Sequence, residues 1–189
     1  MSAFSYQETL ISIVADGTAL TAAARASLTQ NITGARITLA PNFFKVGSML
    51  KVAAQGRISV ASTPGTGRFD LAFNTTANCD STAITFASAA TTNAPWWLEI
   101  LGTCRTIGSG TAATIFWFGT FTSLCVNGSS NNAATAIFTH GVAPNSGATA
   151  VGAGFDSTAA IPLDLYWTPS LATASITLQQ YKVESLGPV

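Results

Sequence analysis

Charge is what this chain lacks most. Lysine, arginine, aspartate and glutamate make up 8% of its 189 residues, eight basic against eight acidic, where ordinary globular proteins carry roughly 25%. The formal net charge is zero, and the charged residues are dispersed, so there is no basic stripe to hold phosphates or anionic lipid. Nucleic acid is therefore not expected as a direct partner. Long apolar runs are missing too: none approaches the ~18 residues of a membrane span, which argues against a membrane partner. The first seventeen residues, "MSAFSYQETLISIVADG", have no basic residue ahead of their apolar part and carry Glu8 and Asp16. That pattern is wrong for a secretion signal and predicts folding in a cytosol. Cysteine is scarce as well. Cys79, Cys104 and Cys125 are odd in number and widely spaced, so a disulfide framework is not expected and they read as small buried hydrophobes. Whether they meet across subunits is left open by the sequence.

Groups that could do chemistry are equally few. His140 is the one histidine and lies in a Gly/Ser-rich stretch with no acid near it in sequence. No "GxSxG" elbow occurs, and the Cys and His residues lack paired ligand spacing. Glu99 and Asp164 lie on predicted strands, but with eight acids in the chain many such pairs exist and none marks a glycosidase. "VGAGF" at 151–155 has no helix after it to cradle a phosphate. The Asn-x-Ser/Thr triplets at Asn31, Asn74 and Asn127 are expected by chance in a chain so rich in these residues. The expectation is no catalytic residue, no metal and no cofactor. Trp97 with Tyr166 is the aromatic pair that could form a carbohydrate platform, although outward aromatics are more often interface anchors.

What is present is alanine, threonine, serine and glycine, with 48% hydrophobic residues, arranged with a period of two. In "MLKVAAQGRISV" (49–60), Leu50, Val52, Ala54, Ile58 and Val60 share one face, with Lys51, Gln55, Arg57 and Ser59 on the other. After the turn "STPGTG", "RFDLAFN" places Phe69, Leu71 and Phe73 inward, and the two segments read as a hairpin. "AAIPLDLYW" puts Ile161, Leu163, Leu165 and Trp167 on one face, with Pro162 making the start of that strand an edge or entry point. In "ASITLQQYKVESL" the apolar phase flips at Gln179 and Gln180, which predicts a bulge. "GTALTAAARASLTQ" (17–30) leaves a short helix and a strand with a turn both open. Residues 123–154 break the rhythm with Gly, Ser, Asn and Ala, predicting a long connection with one short strand near Ala136–Phe138.

Two segments are apolar on both sides. "NAPWWLEILGTCRTIG" (93–108) sets Trp96, Leu98, Ile100 and Cys104 against Trp97, Glu99, Leu101, Arg105 and Ile107, and in "TIFWFGTF" Phe116 and Phe118 alternate with Ile115, Trp117 and Phe121. An antiparallel strand with two apolar faces needs a cover on each. The face assignment expected here puts Trp96, Phe116 and Phe118 in the core, with Trp97, Leu101, Ile107 and Trp117 lining a subunit interface. The pattern predicts an all-β fold, a jelly-roll-like two-sheet β-sandwich of about eight strands. Residues 17–189 form one domain with 123–154 as a long loop insertion, and 1–16 are either an N-terminal anchoring arm or an ordinary first strand.

Three segments carry a family likeness: "RITLAPNFFKVGSMLKVAAQGRIS" (36–59), "NAPWWLEILGTCRTIGSGTAATIFWFGTF" (93–121) and "DSTAAIPLDLYWTPSLATASITLQQYKVESL" (156–186). They resemble a family of small jelly-roll proteins encoded among the virion structural genes of tailed bacteriophages. The likeness rests on a "GRIS" strand, a "PWWLE" to "CRT" hairpin and a closing "LDL" to "TLQQ" block, and covers about half the chain. It contains no active-site residue. What it implies is a virion component, with a capsid decoration (cement) protein on the head surface as the leading expectation. Such a protein would be a homotrimer whose partner is the major capsid protein. The alternative is a tail, tail-fibre or head-fibre component with a receptor- or glycan-binding role.

Overall fold

The computed structural model describes residues 6–126, 138–142 and 151–187. The strands are β1 (Tyr6–Ser12), β2 (Ala26–Ser27), β3 (Ile37–Leu39), β4 (Met49–Val60), β5 (Thr66–Phe73), β6 (Thr76–Asp80), β7 (Ile84–Thr85), β8 (Thr91–Thr106), β9 (Thr114–Ser123), β10 (Phe138–Val142), β11 (Ile161–Pro169) and β12 (Ala174–Gly187). Among the described residues there is no helix. One sheet runs β1-β12-β4-β8-β9-β10 and the other β2-β11-β5-β6, with β3 also on β11 and β7 on β5. β1-β12-β4-β8 facing β2/β3-β11-β5-β6 is the strand order of a jelly roll. The β9–β10 pair extends the first sheet beyond that eight-strand frame, and the shortest pieces account for the remaining excess over eight.

Sheet switching is what the period-two pattern could not show. The segments 49–60 and 68–74 do not form a hairpin: β4 lies in the first sheet and β5 in the second. Their apolar rows, Leu50, Val52, Ala54, Ile58 and Val60 on β4 and Phe69, Leu71 and Phe73 on β5, are all buried. They face one core from opposite sides, so "STPGTG" carries the chain across the sandwich. Ring contacts join the layers: Phe69 lies 5.4 Å from Trp96 and 4.8 Å from Phe121, and Phe73 lies 6.0 Å from Trp117.

Residues 17–30 take the extended option, because sheet backbone offers their N–H groups partners that a short Thr/Ser-weakened helix could not outbid. Gly17 N–H donates to Leu178 O at 2.7 Å, Leu20 N–H to Ile176 O at 2.8 Å, and Leu28 N–H to Leu165 O at 2.9 Å. The bulge predicted at Gln179 and Gln180 is present as a register shift between Leu178 and Gln180. It keeps Ile176, Leu178, Tyr181 and Val183 all buried. Pro162 sits at the start of β11 opposite Thr38 of β3, before the pairing with β5 begins at Leu163. Pro162 is thus the entry point of a strand that is interior beyond it.

Tyr6–Ser12 is the edge strand of the first sheet, antiparallel to β12; residues 1–5 lie outside the described residues. So do 127–137 and 143–150 of the long connection, whose short strand falls at Phe138–Val142 and pairs with β9. Across the β1–β12 edge, Glu184 is buried and accepts hydrogen bonds from Gln7 and Lys182. Lys182 foremost, with Gln7, holds its carboxyl below the ordinary range against the opposing effect of burial. A depressed folded pKa means stabilisation that is present above the unfolded value, about 4.3, and lost as pH falls through the folded value. Hydrogen exchange of β1 amides, corrected for intrinsic rates, is expected to quicken as pH drops below about 4. Glu184→Gln should flatten that pH dependence, and a β1 profile unchanged by the substitution would contradict the coupling.

Candidate subunit interface

The long hairpin β8–β9 decides which aromatic residues reach the surface. On β8 the inward row is Trp96, Leu98, Ile100, Gly102 and Cys104, and on β9 it is Ile115, Trp117, Gly119, Phe121 and Ser123. Register sets Gly102 opposite Trp117 and Gly119 opposite Ile100. A Cβ on Gly102 would stand 2.3 Å from the Trp117 ring, so the bare glycine makes room for the indole. Large side chains thus meet small ones across the pair, as close packing requires.

This corrects the expected face assignment for β9. Trp117 is fully buried and belongs to the core, its Nε1–H donating to Asn78 Oδ1 at 2.6 Å. Phe118 and Phe116 point the other way: Phe118 is 55% exposed, and Phe116 is half-buried under Arg105, whose guanidinium lies 5.1 Å from the ring. Alternation alone fits either phase; the glycines at 102 and 119 were the signal that could have chosen. The other expected residues do face outward. Trp97 is 52% exposed, Ile107 stands exposed just past the end of β8, and Leu101 is half-buried.

Together these residues set large apolar side chains on the outer surface of the first sheet, among polar neighbours. Leu101 lies between Lys51 of β4 and Phe118 of β9, and Trp97 between Gln55 and Thr122. Trp97 and Leu101, four residues apart on one strand, are about 13 Å from each other. Between them Glu99 pairs across the strands with Lys51 at 2.9 Å. Beside Trp97 is an open depression of about 260 Å³ lined by Gln55, Pro95, Trp97, Thr122 and Leu124.

Part of the outer face of the second sheet is covered by the chain itself. Arg25 forms an ion pair with the fully buried Asp70 and lies 3.7 Å from the centre of the Tyr166 ring. Asp164 accepts from Ser27 Oγ at 2.9 Å, Thr29 Oγ1 at 2.6 Å and Leu165 N–H at 2.8 Å, with Arg36 Nε at 3.4 Å. Segment 25–36 is thereby fastened along the β11 edge, with the Arg25 side chain reaching over Tyr166 to β5. Asp164 and Tyr166 belong to this face, whereas Glu99 and Trp97 belong to the opposite one. Glu99 with Asp164 cannot act as a carboxylate pair, and Trp97 with Tyr166 cannot form one sugar platform.

All three cysteines are free and buried, and burial pushes each thiol above its ordinary pKa, away from the reactive thiolate. The backbone of His140 pairs with Phe121 across β10–β9. Among the described residues, no three His, Cys, Asp or Glu side chains gather where they could hold a metal ion.

The fold and surface therefore define a jelly-roll sandwich with one sheet face partly covered by segment 25–36 and one aromatic face that no described residue covers. No protein-family model matches the chain, and no curated protein is similar to it in sequence.

Proposed function

We propose that this protein is a structural component of a bacteriophage virion, a decoration protein of the head that bridges adjacent major capsid subunits. The outer face of its six-stranded sheet is the surface that neighbours cover, in a homotrimer and on the capsid lattice. The observation that carries this reading is the outward Trp97, Leu101 and Phe118, which no described residue overlies, in a chain with so little charge to keep it soluble alone. The jelly-roll strand order and the likeness of three segments to phage virion proteins support it. Burying a preformed apolar face between symmetry-related copies is how such a chain contributes stability without any reacting group.

The test is occupancy on capsids that lack the protein, together with solution mass by light scattering. The wild-type chain is expected to bind saturably and to self-associate in a salt-resistant way. Trp97→Glu combined with Phe118→Glu should remove both behaviours, since a desolvated charge at an interface core costs several kcal/mol. Its thermal unfolding should stay close to that of a wild-type monomer, because both side chains are outside the core. Full occupancy by the double variant would defeat the proposal.

The depression beside Trp97 favours one second reading, a fibre component that stacks a sugar ring on the indole between Gln55 and Thr122. A glycan array probed with wild-type chain and with Trp97→Ala separates the two, since a decoration protein gives no Trp97-dependent glycan signal.

A further inference from the structure

Five of the eight basic side chains lie against a carboxylate: Arg25, Arg36, Lys51, Arg57 and Lys182. Of the other three, Lys45 is exposed in water, and Arg105 is exposed above the Phe116 ring. Arg68 is in a different position. It is half-buried on the outer side of β5, and its Nε is buried with no hydrogen-bond partner among the described residues. The residue opposite it on β11 is Thr168, whose Oγ1 is also buried and unpartnered. Two orphaned polar atoms on facing residues are an unusual cost in a native fold, where buried donors are nearly always satisfied.

Both residues line an open cavity of about 450 Å³ at the end of the second sheet, where β5 begins, β11 ends and the β6–β7 turn contributes to the wall. Around them stand Thr66, Asp80, Thr82 and Ser170. Ser170 Oγ accepts the Thr66 N–H at 2.8 Å, which leaves its own proton free to be donated. Asp80 Oδ1 accepts the Thr82 N–H at 2.7 Å and so faces back into its own turn. That turn holds Thr82 at φ 55, a backbone region that β-branched residues rarely enter. The cavity thus sets several hydroxyls around a guanidinium whose Nε has no partner among the described residues, with Asp80 as its one carboxylate.

We propose that this cavity binds a small oxyanion, a carboxylate or a phosphate, on Arg68 with the hydroxyls of Thr168 and Ser170. A guanidinium fork matches the geometry of either group, and a charge-assisted bond is strongest where water is partly excluded. Asp80 is the one acid in the lining, and its charge opposes the ligand. The site lies on the second sheet, away from the proposed subunit surface, and stands or falls independently of the virion reading.

The experiment is a titration of the ¹⁵N-labelled chain with sodium acetate and, separately, inorganic phosphate, against sodium chloride at matched ionic strength. The Arg68 Nε–H signal and the amides of Thr82 and Ser170 are followed by NMR. At least one anion is expected to shift them saturably, with a dissociation constant on the order of 1–10 mM for a few charge-assisted bonds in an open site. The anion that saturates first identifies the ligand class. Arg68→Gln should abolish saturation, Arg68→Lys should weaken it, and Asp80→Asn should tighten it several-fold. The same shifts in Arg68→Gln, or shifts that never depart from the chloride line in wild type, would overturn the proposal and leave a cavity holding water only. Should Arg68→Gln fail to fold, the wild-type saturation and its tightening in Asp80→Asn decide the matter alone.

Discussion

Trp117→Ala is expected to destabilise the protein by about 3–5 kcal/mol, the range for removing a large aromatic from a packed core. Phe118→Ala, one residue along, should change stability by no more than about 0.5 kcal/mol. The contrast follows from the register of β8 and β9. Trp117 is fully buried against Gly102, lies 6.0 Å from the Phe73 ring and donates to Asn78. Its loss empties the space that Gly102 leaves and orphans a buried acceptor. Asn78 in turn donates to Ala153 O at 2.6 Å, so the return of the chain through 151–155 is loosened as well. Phe118 makes no such contacts and is 55% exposed. Trp117→Phe isolates the hydrogen bond, because it retains most of the ring while leaving Asn78 Oδ1 unpaired, at a cost of about 1–3 kcal/mol. Urea unfolding of the three variants checks this. A larger loss for Phe118→Ala than for Trp117→Ala would mean that β9 presents its faces the other way round.

Arg25→Ala should cost about 3 kcal/mol and Asp70→Ala distinctly less, although each removes half of one ion pair. Asp70 is fully buried, while the Arg25 side chain retains 31% of its exposure. Removing the arginine strands a carboxylate in the protein with nowhere to go. Removing the aspartate leaves a guanidinium that can turn into water. Arg25→Ala also takes away the stacking over Tyr166 at 3.7 Å, worth about 0.5–2 kcal/mol for a partly desolvated pair. Arg25→Lys should recover little, since Nε reaches Asp70 Oδ1 and Oδ2 at 3.2 and 3.0 Å alongside the NH2 contact, a fork that an ammonium cannot reproduce. A double-mutant cycle measures the coupling. Equal losses for the two single variants would show that Asp70 is better solvated than its burial indicates.

The two predictions concern opposite faces of the sandwich and different kinds of cover. On the second sheet, segment 25–36 supplies its own arginines and hydroxyls to Asp70 and Asp164, so that part of the face is covered within one chain. On the first sheet nothing in the described residues overlies Trp97, Leu101 and Phe118. That asymmetry is why the proposed contacts are assigned to the first sheet, and why charge placed at Trp97 and Phe118 should change assembly while charge removed at Arg25 changes folding.

Several features were legible in the sequence because they are local. A period of two reports that a strand is half-buried wherever it pairs, and so the inward rows of β4, β5 and β11 could be read directly. The phase flip at Gln179 and Gln180 marked the bulge for the same reason, since an extra residue must appear wherever both flanking apolar rows face one core. Trp97 was legible as outward because Trp96, Leu98 and Ile100 formed the stronger apolar row beside it.

Other features depend on which segments meet, and no local period contains that. β4 and β5 look like a hairpin because two amphipathic strands joined by a short turn look alike whether they pair or cross the sandwich; the burial of both rows in one core decides it. β9 is apolar on both faces, and only its register with β8, Trp117 against Gly102, turned Trp117 in and Phe116 and Phe118 out. The cover over Asp70 and Asp164 comes from residues more than forty and a hundred positions away. The sequence by itself determined that the chain is an all-β sandwich poor in reacting groups; the tertiary structure decided which aromatic residues turn outward and left the Arg68 Nε with no partner among the described residues, because pairing between distant strands is settled by packing and not by the pattern along any one of them.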